Sequence, residues 1–259
     1  MFLAIDLGNT HITLGLYDGN RPGPRWRIAT DRTRMPDEYG LLLVHLFQHA
    51  GVAPGDVRAI AMASVVPPLT ATLVQACETY LGQAPLVVDI GMKTGVRVRF
   101  EEPRQVGADR IVDAAAVQKM YGGPACIVDF GTATTFDAVS AEGEYLGGAI
   151  APGIGIAAEA LFQSAAKLPK VDLRRPPSAI GRNTVHSIQS GLLFGYVGLV
   201  EGIVTRFKEE LGPETRVIGT GGGVDLIASG TKIIEIVAPW LTLEGIRLIY
   251  EQNHAGIKK

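Results

Sequence analysis

The chain has 259 residues, 47% of them hydrophobic and 19% charged, with a formal charge of −2 at pH 7. That is enough apolar material for one large domain or two ordinary ones, and it excludes a disordered chain. The near-neutral balance gives no electrostatic reason to expect nucleic acid or an anionic membrane as partner.

In chain order, "MFLAIDLGNTHITLGLYDGNRPGPRWRIATDRT" reads as three strands joined by tight turns. Residues 2–6 are a buried run, Ile12, Leu14 and Leu16 alternate, Asp18-Gly19-Asn20 is a turn, and a third strand includes Trp26 and Ile28. Asp6 breaks the first apolar run and no basic stretch precedes it, so it reads as a strand and not a secretion signal. "MPDEYGLLLVHLFQHAG" predicts a helix, with Pro36 at its start, acids in its first turn and Gly51 as its stop. "VRAIAMASVV" is a strand, Pro67-Pro68 opens a second helix, and "APLVVDI" is a further strand. After a loop with Gly91, Gly95 and Pro103, "VGADRIVDAAAVQKMY" begins a helix of good propensity.

The pattern then restarts. "ACIVDFG", "TTFDAVS" and "EYLGGAIAP" predict a second β meander, followed by helices near 153–166 and 184–211. The strand "TRVIGTGGG", a short helix, the strand "KIIEIVA" and a last helix from about Leu241 complete the chain. The orders βββαβαβ and βββααβαβα suggest an internal duplication of a βββαβα unit, with a ligand cleft between the halves. The expected division is residues 1–110 and 111–259, the second meander starting near 124. No run approaches transmembrane length. Cys77 and Cys126 lie in apolar runs without metal-type spacing, which predicts reduced core cysteines and a cytoplasmic protein.

Two turns carry the chemistry. Asp6, Gly8, Asn9 and Thr10 form one; Asp129, Gly131, Thr132, Thr134 and Thr135 form the other. Each follows an apolar strand. Glycine lets the backbone approach a phosphate, and the following N–H groups and hydroxyls donate to it. A carboxylate beside a phosphate acts through a bound cation. One such turn alone reads more simply as a hairpin; two copies favour a shared ligand. Asp109 followed by Arg110 fits a general base beside an anion anchor, or equally an acid at a helix N-terminus. "GTGGG" at 219–223 has poor spacing for a dinucleotide fingerprint, and a glycine loop against a nucleotide base is equally allowed. The five histidines show no mutual metal spacing.

Taken together, "DLGNT" at 6–10, "TDRTRMPDE" at 30–38, "GADR" at 107–110 and "DFGTATTFD" at 129–137 resemble the type III pantothenate kinases. "GGAIAPGI" at 147–154, "GRNTVHSIQSG" at 181–191 and "GTGGG" complete the resemblance. These kinases belong to the acetate/sugar kinase, heat-shock ATPase and actin superfamily, so the implied fold is α/β with duplicated ribonuclease H-like (actin-like ATPase) halves. The implied activity is ATP-dependent phosphorylation of pantothenate to 4′-phosphopantothenate, the first step of coenzyme A biosynthesis. The matching positions imply Asp109 as proton acceptor and Phe100, Gly107, Ala108, Asp109, Arg110 and Thr184 as substrate contacts. Asp6, Leu7, Gly8, Asn9, Thr10, His11, Ile12, Thr13 and Thr132 would hold ATP. Asp129 would carry a monovalent cation, K+ or NH4+, and Asp6 would face Mg2+, directly or through water. The family commonly has Tyr where Phe100 stands. The resemblance also implies a homodimer. Two other readings are a same-fold kinase with another small-molecule acceptor and an ATP-binding regulator without turnover; the joint presence of Asp109, Asp129 and Thr184 favours the catalyst.

Overall fold

The structure, a computed structural model, describes residues 1–89 and 91–254. The chain forms two compact units. Unit 1 comprises Met1–Val96, Glu101–Ala116 and the chain from Thr242; unit 2 comprises Arg97–Phe100 and Val117–Leu241. This differs from a single cut after residue 110, because the last helix packs with the first unit.

Unit 1 holds a five-stranded sheet in the order β3-β2-β1-β4-β5. Its strands are β1 (Phe2–Leu7), β2 (His11–Asp18), β3 (Arg21–Ala29), β4 (Ala59–Ser64) and β5 (Leu86–Val87). The first three form an antiparallel meander, and β4 adds parallel to β1 with Asp6 opposite Ala63. Helices α1 (Pro36–His49) and α2 (Pro67–Leu81) cover one face. Leu3, Ile5, Leu7, Leu14 and Leu16 of the sheet there meet Tyr39, Leu43 and Phe47 of α1 and Leu69, Leu73 and Cys77 of α2. Each large side chain so buried contributes roughly 1.5–3 kcal/mol. Pro36 and Pro67 pre-set the first helical turns. Glu38 accepts from the Met35 N–H at 2.8 Å, so the acidic first turn caps α1 directly.

Unit 2 holds a six-stranded sheet ordered β11-β10-β7-β8-β9-β6. These are β6 (Arg97–Val98), β7 (Ala125–Phe130), β8 (Ala133–Val139), β9 (Glu144–Pro152), β10 (Arg216–Thr220) and β11 (Ile236–Val237). Without β6 the order repeats that of unit 1, strand for strand, so the duplication read from the sequence is a duplication of topology. Helices α4 (Ile154–Ser164), α5 (Thr184–Leu211) and α6 (Val224–Ala228) belong to this unit. Cys126, Val128 and Phe136 pack there with Leu193, Val197, Val200 and Val204 of α5. Helix α3 (Ala108–Met120) carries the chain from one unit into the other.

Three details depart from the sequence pattern. β5 and β11 are two residues each where seven-residue apolar runs predict longer strands; both are edge strands with one neighbour, and Ile90 of the first run lies outside the described residues. β6 has no sequence signal, since "RV" carries too few residues to show a period. The 28 residues of α5 include an 18-residue window of mean hydropathy 1.4, long and apolar enough to cross a membrane by length and composition. The expectation that no run approaches that length is therefore corrected. Its apolar face is the one that fills the core of unit 2.

The last helix, α7 (Leu241–His254), packs on unit 1 through two glycines. A Cβ at Gly245 would overlap the Val112 carbonyl of α3, and one at Gly15 of β2 would lie 2.8 Å from Leu243 Cδ1. Gly245→Ala is therefore expected to lower stability by about 1–3 kcal/mol, as overpacking against backbone does. Gly195→Ala is the contrast. Gly195 is exposed on α5 and an added Cβ meets nothing within 4 Å, so helix propensity should raise stability by about 0.5–1 kcal/mol. Urea midpoints of the two variants against the parent chain check both signs.

Candidate active site

In unit 1 the sequence-predicted phosphate segment lies where β1 ends and β2 begins. Asp6 is half-buried at the end of a strand whose Leu3, Ala4, Ile5 and Leu7 are buried. The Gly8 N–H donates to the His11 carbonyl at 3.0 Å and closes the turn, leaving Asn9, Thr10 and His11 exposed. Ile12 is a core residue with no exposed surface, and Thr13 pairs across the sheet with Asp6. Leu7 is likewise core. Of the eight residues 6–13, Leu7 and Ile12 thus hold the hairpin, while Gly8 to His11 present it. The His11 imidazole is pushed below its usual value by partial burial and then by Arg27, both of which disfavour a charge on it at the turn.

The "GADR" residues sit at the end of β4, the parallel neighbour of β1. Val65 N–H donates to the Leu7 carbonyl at 3.1 Å, and a Cβ at Gly107 would lie 3.5 Å from Val65 Cγ1. Ligand sites of open α/β sheets lie beyond such carboxyl ends of strands. A cavity of about 700 Å³ opens here, a size suited to a small-molecule ligand. Val65, Val88, Val106 and Ile111 give it apolar walls, while Ser64, Asp89, Arg104 and Gln105 supply polar groups. Gly107 and Ala108 line it. Asp109 and Arg110 follow on the first turn of α3, both half-buried.

Gly107 has a specific steric reason: a Cβ there would overlap Asp109 Oδ1, so only glycine lets that carboxylate fold back over the loop. The same oxygen accepts from the Arg110 N–H at 2.8 Å. Burial raises the Asp109 carboxyl above its usual value, opposed by that N–H and by the Arg110 guanidinium. A basic carboxylate results, fixed by backbone.

Unit 2 repeats the turn. β7 ends at half-buried Asp129 and buried Phe130, and the Gly131 N–H donates to the Ala133 carbonyl at 3.1 Å. The cross-strand partner of Asp129 is Thr135, one residue nearer along the chain than Thr13 is to Asp6, so this turn is the tighter copy. Gly131 and Thr132 are exposed at its tip, whereas Thr134 is buried and hydrogen-bonded to the Tyr196 hydroxyl of α5. Thr134 is therefore a packing residue, and Thr135 turns to Asp137 Oδ2 at 3.0 Å. Asp137 also accepts from Tyr145 at 2.9 Å. Phe100 is half-buried in this unit, its ring 6.4 Å from that of Tyr145 and 3.4 Å from where a Cβ at Gly147 would stand. Thr184 stands exposed at the first residue of α5, whose preceding Asn183 accepts from the His186 N–H at 2.8 Å.

The glycine motif at 219–223 has a role that its spacing does not reveal. A Cβ at Gly221, where φ is +86°, would overlap Asp129 Oδ1, and the Gly223 N–H donates to the Phe130 carbonyl at 3.2 Å. The loop is a backing for the Asp129 turn. "GGAIAPGI" does the same from the other side, through Gly153 N–H to the Thr132 carbonyl at 3.1 Å. Among the described residues no cluster of three or more His, Cys, Asp or Glu side chains could cage a metal ion. One carboxylate beside backbone and exposed hydroxyls fits a weakly held monovalent cation at Asp129. It also fits a Mg2+ held mostly by phosphate and water near Asp6.

The repeated strand order, with an Asp-x-Gly turn at the exit of the central strand of each unit, defines a duplicated ribonuclease H-like fold. A sequence profile described as "Type III pantothenate kinase" matches residues 2–206. Type III pantothenate kinases of Moorella thermoacetica and Geobacter sulfurreducens are each 54% identical over 253 residues. Those matches cover 98% of this chain, and 100% and 99% of the relatives. The chain belongs to the type III pantothenate kinase family. The activity that goes with this membership is ATP-dependent phosphorylation of pantothenate in coenzyme A biosynthesis. Among solved structures, a Campylobacter jejuni protein described as a Baf family transcriptional activator aligns with TM-score 0.62 at 18% identity, over 98% of this chain and 99% of that one. The ethanolamine utilization protein EutJ from Carboxydothermus hydrogenoformans aligns with TM-score 0.53 at 14% identity, over 95% and 89%. At such identities these two speak for the fold alone.

The raised Asp109 carboxyl has a consequence for stability. A carboxyl with a folded-state value above its unfolded 3.8 binds its proton more tightly when folded, so its ionisation weakens the fold as pH rises above 3.8. Asp109→Asn is therefore expected to be more stable than the parent chain at pH 7, with the gain shrinking as pH falls towards 4. Urea midpoints of both proteins across pH 4–7 check the sign.

Proposed function

We propose that Asp109 takes the proton from the primary hydroxyl of pantothenate as that oxygen attacks the terminal phosphorus of ATP. The phosphorus–oxygen bond to ADP breaks as the new one forms, and the proton ends on the carboxylate. The observation that carries this reading is the Asp109 carboxylate itself. It is buried enough to be a stronger base than usual, held by the Arg110 N–H, and carried by a loop whose Gly107 and Ala108 line the cavity of unit 1. Phosphoryl transfer asks a protein mainly for positioning and charge stabilisation, and a late proton transfer suits a carboxylate.

The remaining assignments follow the same chemistry. Residues 6–13 and Thr132 form the ATP phosphate segments: Leu7 and Ile12 hold the first turn from the core, the Gly8 and Gly131 N–H groups close the two turns, and Asn9, Thr10 and Thr132 stand exposed to meet the phosphates. Gly107, Ala108, Arg110, Phe100 and Thr184 contact pantothenate, with Arg110 meeting its carboxylate. Asp129 holds K+ or NH4+ and Asp6 faces Mg2+; these cations, when bound, neutralise phosphate charge. The protein works in the cytoplasm as a homodimer. Exposed apolar side chains on β9 and α4, among them Ile150, Ile156 and Phe162, support a self-association surface.

The test is ADP release from Mg-ATP with pantothenate, in potassium and in sodium buffer. Asp109→Asn is expected to lower kcat by about 10²–10⁴-fold, the usual contribution of general base catalysis. Asp129→Asn is expected to remove the preference for potassium. Unchanged turnover in Asp109→Asn would remove the general base; no pantothenate-dependent ADP at all would turn the reading towards another acceptor. Phe100→Tyr supplies a hydroxyl that one neutral hydrogen bond makes worth about 0.5–1.5 kcal/mol, so KM for pantothenate should fall by roughly two- to tenfold. An unchanged KM removes Phe100 from the substrate site.

A further inference from the structure

The segment "TDRTR" at residues 30–34 enters the resemblance only as a string of letters, with no role attached. In the structure it is bound to the first phosphate turn. Thr30 Oγ1 donates to the Gly8 carbonyl at 2.6 Å, and the Thr30 N–H donates to the Thr10 carbonyl at 2.9 Å. Both flanks of Asn9 are therefore held from one residue. Asp31 is fixed in turn by fully buried Tyr39, whose hydroxyl accepts from the Asp31 N–H at 3.0 Å and donates to its carbonyl at 2.8 Å. The next cation along, Arg32, reaches back so that Nη2 donates to Asn9 Oδ1 at 2.9 Å.

The two arginines of this segment differ in charge balance. Arg34 is neutralised by Asp31 at 3.6 Å and lies over the Tyr39 ring. Arg32 is exposed and bonded to a neutral amide, and among the described residues no carboxylate lies in ion-pair range of it. A guanidinium offers five donors in a planar fork that matches phosphate oxygens, and the Asn9 bond uses one. The cation is thus held at the tip of the turn whose backbone closes on Gly8, with most of its donors free to turn to an anion.

We propose that Arg32 binds the polyphosphate chain of the nucleotide directly, with Thr30 as the positioning residue that fixes the turn beside it. This rests on the reading of residues 6–13 as the ATP phosphate segment, and it adds a side-chain cation to a site otherwise built of backbone and hydroxyl donors. Asn9 then serves twice, its amide oxygen aiming the guanidinium while its backbone belongs to the turn.

The experiment is a binding titration of the full chain with ATP, with inorganic tripolyphosphate and with adenosine, alongside the turnover assay. Arg32→Ala is expected to weaken ATP and tripolyphosphate by about tenfold or more, the scale of a lost charge-assisted contact, and to leave adenosine unchanged. Arg32→Lys should recover part of the loss as a point charge, and Arg32→Gln, which keeps the bulk, should not. Thr30→Val should weaken tripolyphosphate in the same direction, with Thr30→Ser restoring it. Unchanged tripolyphosphate affinity in Arg32→Ala overturns the proposal, and so does an equal loss for adenosine, which marks a general disturbance. A parent chain that binds tripolyphosphate and ATP yet releases no pantothenate-dependent ADP sinks the acceptor assignment while the Arg32 comparison still decides its own question.

Discussion

Each unit depends on one backbone hydrogen bond at the exit of a buried strand: Gly8 N–H to the His11 carbonyl in unit 1, Gly131 N–H to the Ala133 carbonyl in unit 2. A buried strand has to spend its last residues leaving the core, and its polar groups must be satisfied while it does so. Closing the turn through glycine satisfies one donor and keeps the chain tight, so the carboxylate two residues earlier stays at the sheet edge instead of being carried into solvent. The rest of each unit supports that geometry. In unit 1, Thr30 reaches the turn from beyond β3. In unit 2, Gly153 and Gly223 reach it from the end of β9 and from the loop after β10. Strand order β3-β2-β1-β4-β5, repeated in unit 2, brings the braces to the turn, since it places the turn-bearing strand centrally.

Much of this fold is legible in the sequence because its signals are periodic. The apolar run before Asp6, the Pro36 and Pro67 starts, and the apolar spacing of α5 mark their elements by patterns that local sterics and burial enforce. The pattern fails where pairing is decided by a distant neighbour. "APLVVDI" has the letters of a full strand, yet among its described residues the ladder with β4, its single partner, takes in Leu86 and Val87 alone. The place of α7 in unit 1 fails to show for a related reason. Nothing near residue 241 says that Gly245 will accommodate a carbonyl of α3, a contact fixed by three-dimensional approach alone.

The candidate site divides along the same line. Asp6, Asp109 and Asp129 stand out because a carboxylate beside glycine at a strand or helix end is a local feature. Their supports do not stand out. Thr30 is an ordinary threonine until its hydroxyl meets Gly8, and the letters of "GTGGG" do not show that a Cβ at Gly221 would overlap Asp129. Thr134 shows the reverse error: it belongs by letter to the second turn, but its hydroxyl is engaged with Tyr196 in the core. A motif string mixes residues that present themselves to a ligand with residues that hold the turn, and burial separates the two.

Asp109 shows why the separation matters for mechanism. Poor solvation raises the basicity of a carboxylate. Poor solvation of an ionised group opposes folding, so the loop has to hold the group by other means. Here the Arg110 N–H and guanidinium oppose the desolvation without cancelling it, and Gly107 removes the one atom that would push the carboxylate away. Had Arg110 dominated, the carboxyl would sit below its usual value; had neither been present, burial alone would push it further up. The balance of these opposed effects leaves a carboxylate that is basic yet fixed. That balance draws on Gly107 and Arg110 and not on the acid alone.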